Sequence, residues 1–97
     1  MATVTVTQVG KGDPMEFDVE VRDAKGRTRH RVTMQSAVHA RLGGGTASPV
    51  ACVRAAFAFL LDREPKESIL GRFDVTVIGR YFPEFEEEIE KYLGALD

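Results

Sequence analysis

The first third of the chain alternates between apolar and polar positions. In "MEFDVEVR", residues 15–22, Met15, Phe17, Val19 and Val21 share one parity, and Glu16, Asp18, Glu20 and Arg22 share the other. This is the period of a strand with one buried and one solvated face. "ATVTVTQV", residues 2–9, alternates in the same way with Val4 and Val6 inward, and "RTRHRVTM", residues 27–34, runs basic and then apolar. "GKGDP" separates the first two strands as a loop. "DAKG" separates the second and third, with Asp first and Gly fourth, the preferred ends of a type I turn. The pattern predicts a three-stranded antiparallel meander.

Matching the two faces sets the register. With the turn at Asp23 to Gly26, Phe17 faces Val32, Met15 faces Met34, Glu20 faces Arg29 and Asp18 faces Arg31. A slip of one residue would set Val21 against Arg29 and bury a charge or expose an apolar row. The strand arginines are therefore expected to lie on the solvated face beside the carboxylates of the neighbouring strand. Each such pair contributes from tenths of a kcal/mol to about 1 kcal/mol. His30 falls on the inward parity opposite Val19, where a half-buried structural histidine is expected.

From residue 36 the spacing becomes helical. Ser36 as a cap predicts a short helix through Leu42, ended by "GGGTA". Ser48 as N-cap and Pro49 at the first helical position open "SPVACVRAAFAFLLDRE". Its stripe of Val50, Val53, Phe57, Leu60 and Leu61 is answered on the opposite side by Cys52, Ala55, Ala56 and Phe59, so the helix needs burial on two sides. The second side is expected to meet the C-terminal helices or a second molecule. After Pro65, "KESIL" adds a turn of helix that Gly71 breaks. "DVTVIGRYF" mixes β-branched residues, which favour a strand, with Asp74 as a cap and Val75, Ile78 and Phe82 on one side, which favour a helix. The helix is the reading adopted. "PEFEEEIEKYL" closes the chain as an amphipathic helix carrying Phe85, Ile89, Tyr92 or Leu93, and Leu96. Glu84, Glu86, Glu87 and Glu88 crowd its first turns, where the macrodipole favours carboxylates.

The expected fold class is α+β, a single domain over residues 1–97 with a β-meander in 1–34 and three or four α-helices in 36–97. A net charge of −2 does not advertise an anionic partner. No apolar run approaches the roughly 18 residues of a membrane span, and the start lacks the order of a signal peptide, so no membrane partner is expected and the cytoplasm is the expected location. Cys52, the single cysteine, cannot close an internal disulfide and is expected in the core. His30 and His39 have no Cys, His or Asp at ligand spacing, so no metal or other cofactor is expected. "GGGTASP" leads a glycine loop into a helix N-terminus but lacks the Gly-Lys-Ser/Thr ending of a phosphate loop, and it is read as a helix stop. No enzyme is expected.

The segment "RVTMQSAVHARLGGGTASPVACVRAAFAFLLDRE", residues 31–64, resembles the strand, helix, turn, helix order of ribbon-helix-helix DNA-binding proteins of the antitoxin type. The resemblance implies a dimer whose strand pairs with its mate and lies in the major groove. It makes Arg29, Arg31 and Thr33 the readers of base edges and places Ser48 at a phosphate. The residues themselves point first to a small bacterial-type, non-catalytic protein-interaction or regulatory module. Its partner would be another protein or a second copy, met by the two-sided middle helix at Cys52, Ala55 and Phe59 or by the acidic last helix at Glu86 and Glu87. A DNA-binding regulator is the alternative. The two readings differ on whether strand 27–34 pairs within the chain or between chains.

Overall fold

A computed structural model of the chain describes residues 2–43 and 46–95. Three strands come first: β1 over Thr3–Gly10, β2 over Met15–Asp23 and β3 over Gly26–Met34. They pair as the antiparallel meander read from the sequence, in the register that matches the two faces. Phe17 opposes Val32, Met15 opposes Met34, Glu20 opposes Arg29 and Asp18 opposes Arg31. The turn between β2 and β3 is held by the Asp23 carboxylate accepting from the Lys25 amide at 2.8 Å. Gly26, at φ +130°, takes the backbone angle there that a side chain would resist.

The sheet has four strands rather than three. β4, Arg72–Asp74, lies parallel to β3 and completes the order β1-β2-β3-β4. Arg31 opposes Arg72, Val32 opposes Phe73 and Thr33 opposes Asp74. Three residues are too few to show an alternation, and their partner lies far away in the chain, so periodicity could not reveal this strand. Its consequence is that β3 is bonded along one edge by β2 and on the other edge at Arg31–Thr33 by β4.

Two helices follow β3: α1 over Ser36–Gly43 and α2 over Pro49–Leu61. The cap of α1 is not Ser36 itself; the Asp13 carboxylate, from the loop between β1 and β2, accepts from the Ser36 amide at 2.9 Å. Gly43 closes α1 in a close approach, since a Cβ there would stand 3.1 Å from the Cys52 sulfur. Gly44, Gly45 and Leu96 lie outside the described residues. Ser48 caps α2 as expected, accepting from the Ala51 amide at 3.1 Å. α2 ends at Leu61 rather than at Glu64. A 3-10 turn at Lys66–Ser68 precedes β4, and a second at Val75–Val77 leads into α3, Ile78–Tyr81. α4, Phe85–Ala95, completes the order. The ambiguous segment after Asp74 is thus helical, and Asp74 is its cap, accepting from the Thr76 amide at 3.0 Å.

The helices cover the inward face of the sheet. Phe17, Val19, Val21, Val32 and Met34 from the strands are buried with Val53, Phe57 and Leu60 from α2. Each such side chain, fully buried, contributes about 1.5–3 kcal/mol. The second side of α2 is covered within the chain. Cys52, Ala55 and Phe59 are buried, and Phe59 packs edge-on against Phe82, Phe85 and Tyr92. Arg63 locks this contact. Its guanidinium lies 3.6 Å from the Phe59 ring centre and pairs with Glu84 at 3.2 Å and Glu88 at 3.3 Å.

Candidate functional site

The stretch that follows α2 is pinned to the sheet by polar groups. The Lys66 ammonium is buried and reaches the Asp23 carboxylate of the β2–β3 turn at 2.8 Å, with Glu67 as its second partner. Hydrogen bonds to Asp23 and then Glu67 hold the lysine above its ordinary pKa, and its presence holds both carboxylates below theirs. His30, inward on β3 and buried, meets the Leu70 carbonyl with Nδ1 at 2.7 Å and the Thr28 hydroxyl with Nε2 at 2.8 Å. A carbonyl only accepts, so Nδ1 donates to Leu70, and the Thr28 hydroxyl, able to donate or accept, completes the ring's contacts at Nε2. The Arg31 amide donates to the Gly71 carbonyl at 2.8 Å. These contacts fix the backbone around residues 69–71, with Ile69 turned into the core and Leu70 turned out.

Beyond β4 the Asp74 cap sets the direction of α3. Burial works to raise the Asp74 pKa, but the hydroxyls of Thr33 and Thr76 and the Thr76 amide prevail and hold it below the usual aspartate value. The Thr33 hydroxyl donates to it at 2.7 Å and so ties the cap to β3. Between the end of α2, the Leu70 segment, β4 and α3 an open cleft of about 360 Å³ remains, with Phe73, Ile69 and Leu60 among its lining and Val77, Ile78 and Phe82 contributed from the α3 side. Leu70 and Tyr81 also line it, 48% and 69% exposed. The one other exposed large hydrophobic among the described residues is Val9. Glu64 lines the same cleft, half-buried, with no ion-pair partner among the described residues. An apolar surface with one unpartnered carboxylate suits an apolar group that carries a cation or a donor beside it.

The sequence-derived candidates lie elsewhere. Arg29, Arg31 and Thr33 stand on the face of the sheet away from the helices, while Ser48 opens α2 in the helical layer, and the structure does not bring them together. On that outer face Arg31 bonds Asp18 at 2.7 Å and Glu16 at 3.1 Å, and Glu20 draws in Arg22 at 3.4 Å and Arg27 at 3.6 Å. Arg29 opposes Glu20 in register, yet Glu20 pairs with the other two arginines. Thr33 is engaged by Asp74 and Ser48 by its cap. Cys52, Ala55 and Phe59 are buried within the chain, and α4 packs on the side of α2 for which a second molecule was considered. Burial also pushes the Cys52 thiol up in pKa. Of the acidic pair, Glu86 is held by Arg41 through two bonds of 3.0 Å, and Glu87 is exposed. His39 bonds the Ala47 carbonyl at 2.7 Å, a tie between α1 and the approach to α2. Among the described residues no group of three or more His, Cys, Asp or Glu could hold a metal ion.

The cleft escaped the sequence reading because Leu60, Leu70, Phe73 and Tyr81 belong to four separate segments. Lys66 escaped because a lysine in "PKES" reads as solvated. No family model matches the chain, and neither a curated protein nor a solved structure matches it. No helix among the described residues is long and apolar enough to cross a membrane.

Proposed function

We propose that this chain is a small, non-catalytic protein-interaction module of the cytoplasm that seats an apolar, cation-bearing segment of a partner protein in the cleft between α2, β4 and α3. The observation that carries the reading is the pair Leu70 and Tyr81, exposed together beside an apolar hollow. Large apolar side chains left in water at one place mark surfaces that gain from being covered, and aromatic residues in such places commonly dominate binding energy. Glu64 supplies the polar preference: a lysine or arginine next to the partner's apolar anchor would find a carboxylate that nothing in the described chain neutralises.

The DNA-binding alternative draws its support from the ribbon-helix-helix resemblance and from the arginines of β3. Against it stand the pairing of β3 with β2 along its length and with β4 at Arg31–Thr33, and the carboxylates interleaved with the arginines. The test of the interaction reading is selection from a displayed peptide library, run in parallel on the wild type and on Leu70→Asp with Tyr81→Asp. The expected yield is peptides combining an apolar anchor with a basic residue, whose binding the double substitution abolishes. Peptides that bind both proteins equally would place the interaction elsewhere.

A further inference from the structure

The two edges of the sheet are treated differently by the sequence. An edge strand presents unpaired backbone donors and acceptors, and chains ordinarily guard such edges with short length, lysine, proline or a covering element. β4 is guarded by length, since it runs for three residues and its last, Asp74, turns the chain into a helical turn. β1 has none of these guards from Thr3 to Gln8, and only at its end does a bulge between Gln8 and Gly10 interrupt the edge. Thr3–Gly10 runs for eight residues without a charge or a proline, and Thr or Val occupies six of the eight positions. β2 is its one neighbour in the sheet. Val9, the third exposed large hydrophobic, lies on this strand.

We infer that β1 is a self-association edge, where a second copy of this chain adds its own β1 antiparallel and joins the two sheets into one. Antiparallel pairing of identical strands is its own two-fold axis, so a single surface supplies both halves of the interface. Keeping both helical layers on one side of the joined sheet requires inward residues to oppose inward residues. The in-phase pairing centred on the regular stretch Val4 to Gln8 puts Val6 opposite the Val6 of the second copy. Thr5 then meets Thr7 and Val4 meets Gln8, and the regular pairing ends there, before the irregularity at Val9. Threonine and β-branched pairs of this kind suit cross-strand contact.

Charge selects the same occupant. The edge carries none, so it offers a charged segment nothing, while a second copy meets no repulsion there. The nearest carboxylate rows, on the two β2 strands, would be three strand spacings apart, about 14 Å, beyond the screening length of about 8 Å at physiological salt. α2 packs against β1, so both α2 helices lie on one side of the joined sheet beside the seam. The cleft is at the β4 end of the sheet and stays open in the dimer, so the two sites stand or fall separately.

The deciding experiment compares the wild type with Thr5→Lys plus Thr7→Lys by light scattering over a range of protein concentrations. Within one chain the introduced lysines face Glu20 and Asp18 of β2, so the fold is kept. Across the seam they face each other. The expected result is a wild-type mass that rises toward twice 10.7 kDa and a variant that stays at 10.7 kDa with an unreduced melting temperature. A wild type of 10.7 kDa at every concentration overturns the inference, as does a dimer that the substitutions leave intact. Should the variant lose its fold, amide exchange in the wild type decides: protection of residues 3–9 that grows with concentration supports the seam, and protection that ignores concentration overturns it.

Discussion

The outer face of the sheet and the cleft at its β4 end both look like places where something binds, and they differ in what has already been done with their groups. On the outer face the conspicuous side chains are arginines, and Glu16, Asp18 and Glu20 stand among them, two of these pairing with Arg31 and the third with Arg22 and Arg27. In the cleft the conspicuous side chains are Leu70 and Tyr81, which the described residues leave 48% and 69% exposed. A charged row in which Arg22, Arg27 and Arg31 are paired next door keeps less of its field for phosphate, with Arg29 the member that no ion pair holds among the described residues. An apolar pair left about half exposed or more keeps that share of its hydrophobic gain unused. Capacity to bind follows from groups left unsatisfied rather than from groups that stand out in a sequence.

The strongest way to break this contrast is to treat a covered aromatic and an uncovered one alike. Phe59→Asp buries an unpaired carboxylate among Phe82, Phe85 and Tyr92 and should cost about 4 kcal/mol or more, which would unfold much of the population. Tyr81→Asp, at a side chain 69% exposed, should stay within about 0.5 kcal/mol of the wild type in urea unfolding. Equal losses would mean that Tyr81 is as covered as Phe59. Next in size, Phe73→Ala removes a ring shared by the cleft and the core beside Phe57, 5.9 Å away between centroids. A loss of about 3 kcal/mol is expected in the same assay.

Asp74 sharpens the contrast by testing what holds the cleft in shape. Asp74→Ala should lose about 1 kcal/mol, the usual worth of a helix cap. Because the folded pKa lies below the ordinary aspartate value of 3.8, the ionised group adds stability that is fully present above that value and drains away as pH falls through the folded one. Asp74→Asn cannot ionise, so its stability deficit against the wild type should shrink as pH drops below 3.8. A deficit independent of pH would show that the carboxylate's charge is not what matters. The smallest effect is expected on the outer face. Arg29→Ala with Arg31→Ala should change unfolding free energy by less than about 1 kcal/mol and leave the affinity for duplex DNA unchanged.

Much of the sheet was legible because its signals are local. The parity of Phe17, Val19 and Val21 and the Asp-to-Gly turn suffice to set β2 against β3, and the same parity puts His30 inside. Ser48 and Asp74 announced their caps through position alone. β4 was not legible, since three residues carry no period and a parallel partner is distant in sequence. The cover of α2 was legible only as a need: its two apolar sides demand burial, but whether α4 or another molecule supplies it depends on packing. The cleft left no trace in the sequence, because an opening between four segments is a property of how they pack and of none of them singly.

Amide chemical-shift mapping on one isotope-labelled sample tests the central claim most directly, with a short amphipathic peptide carrying an apolar anchor and a lysine as one probe and a short DNA duplex at physiological salt as the other. The expected result is that the peptide moves the amides of Leu60, Leu70, Phe73 and Tyr81 and their neighbours, while the duplex leaves those of Arg29, Arg31 and Thr33 in place. A duplex that shifts the β3 amides, together with a peptide that leaves the cleft unmoved, would contradict the account.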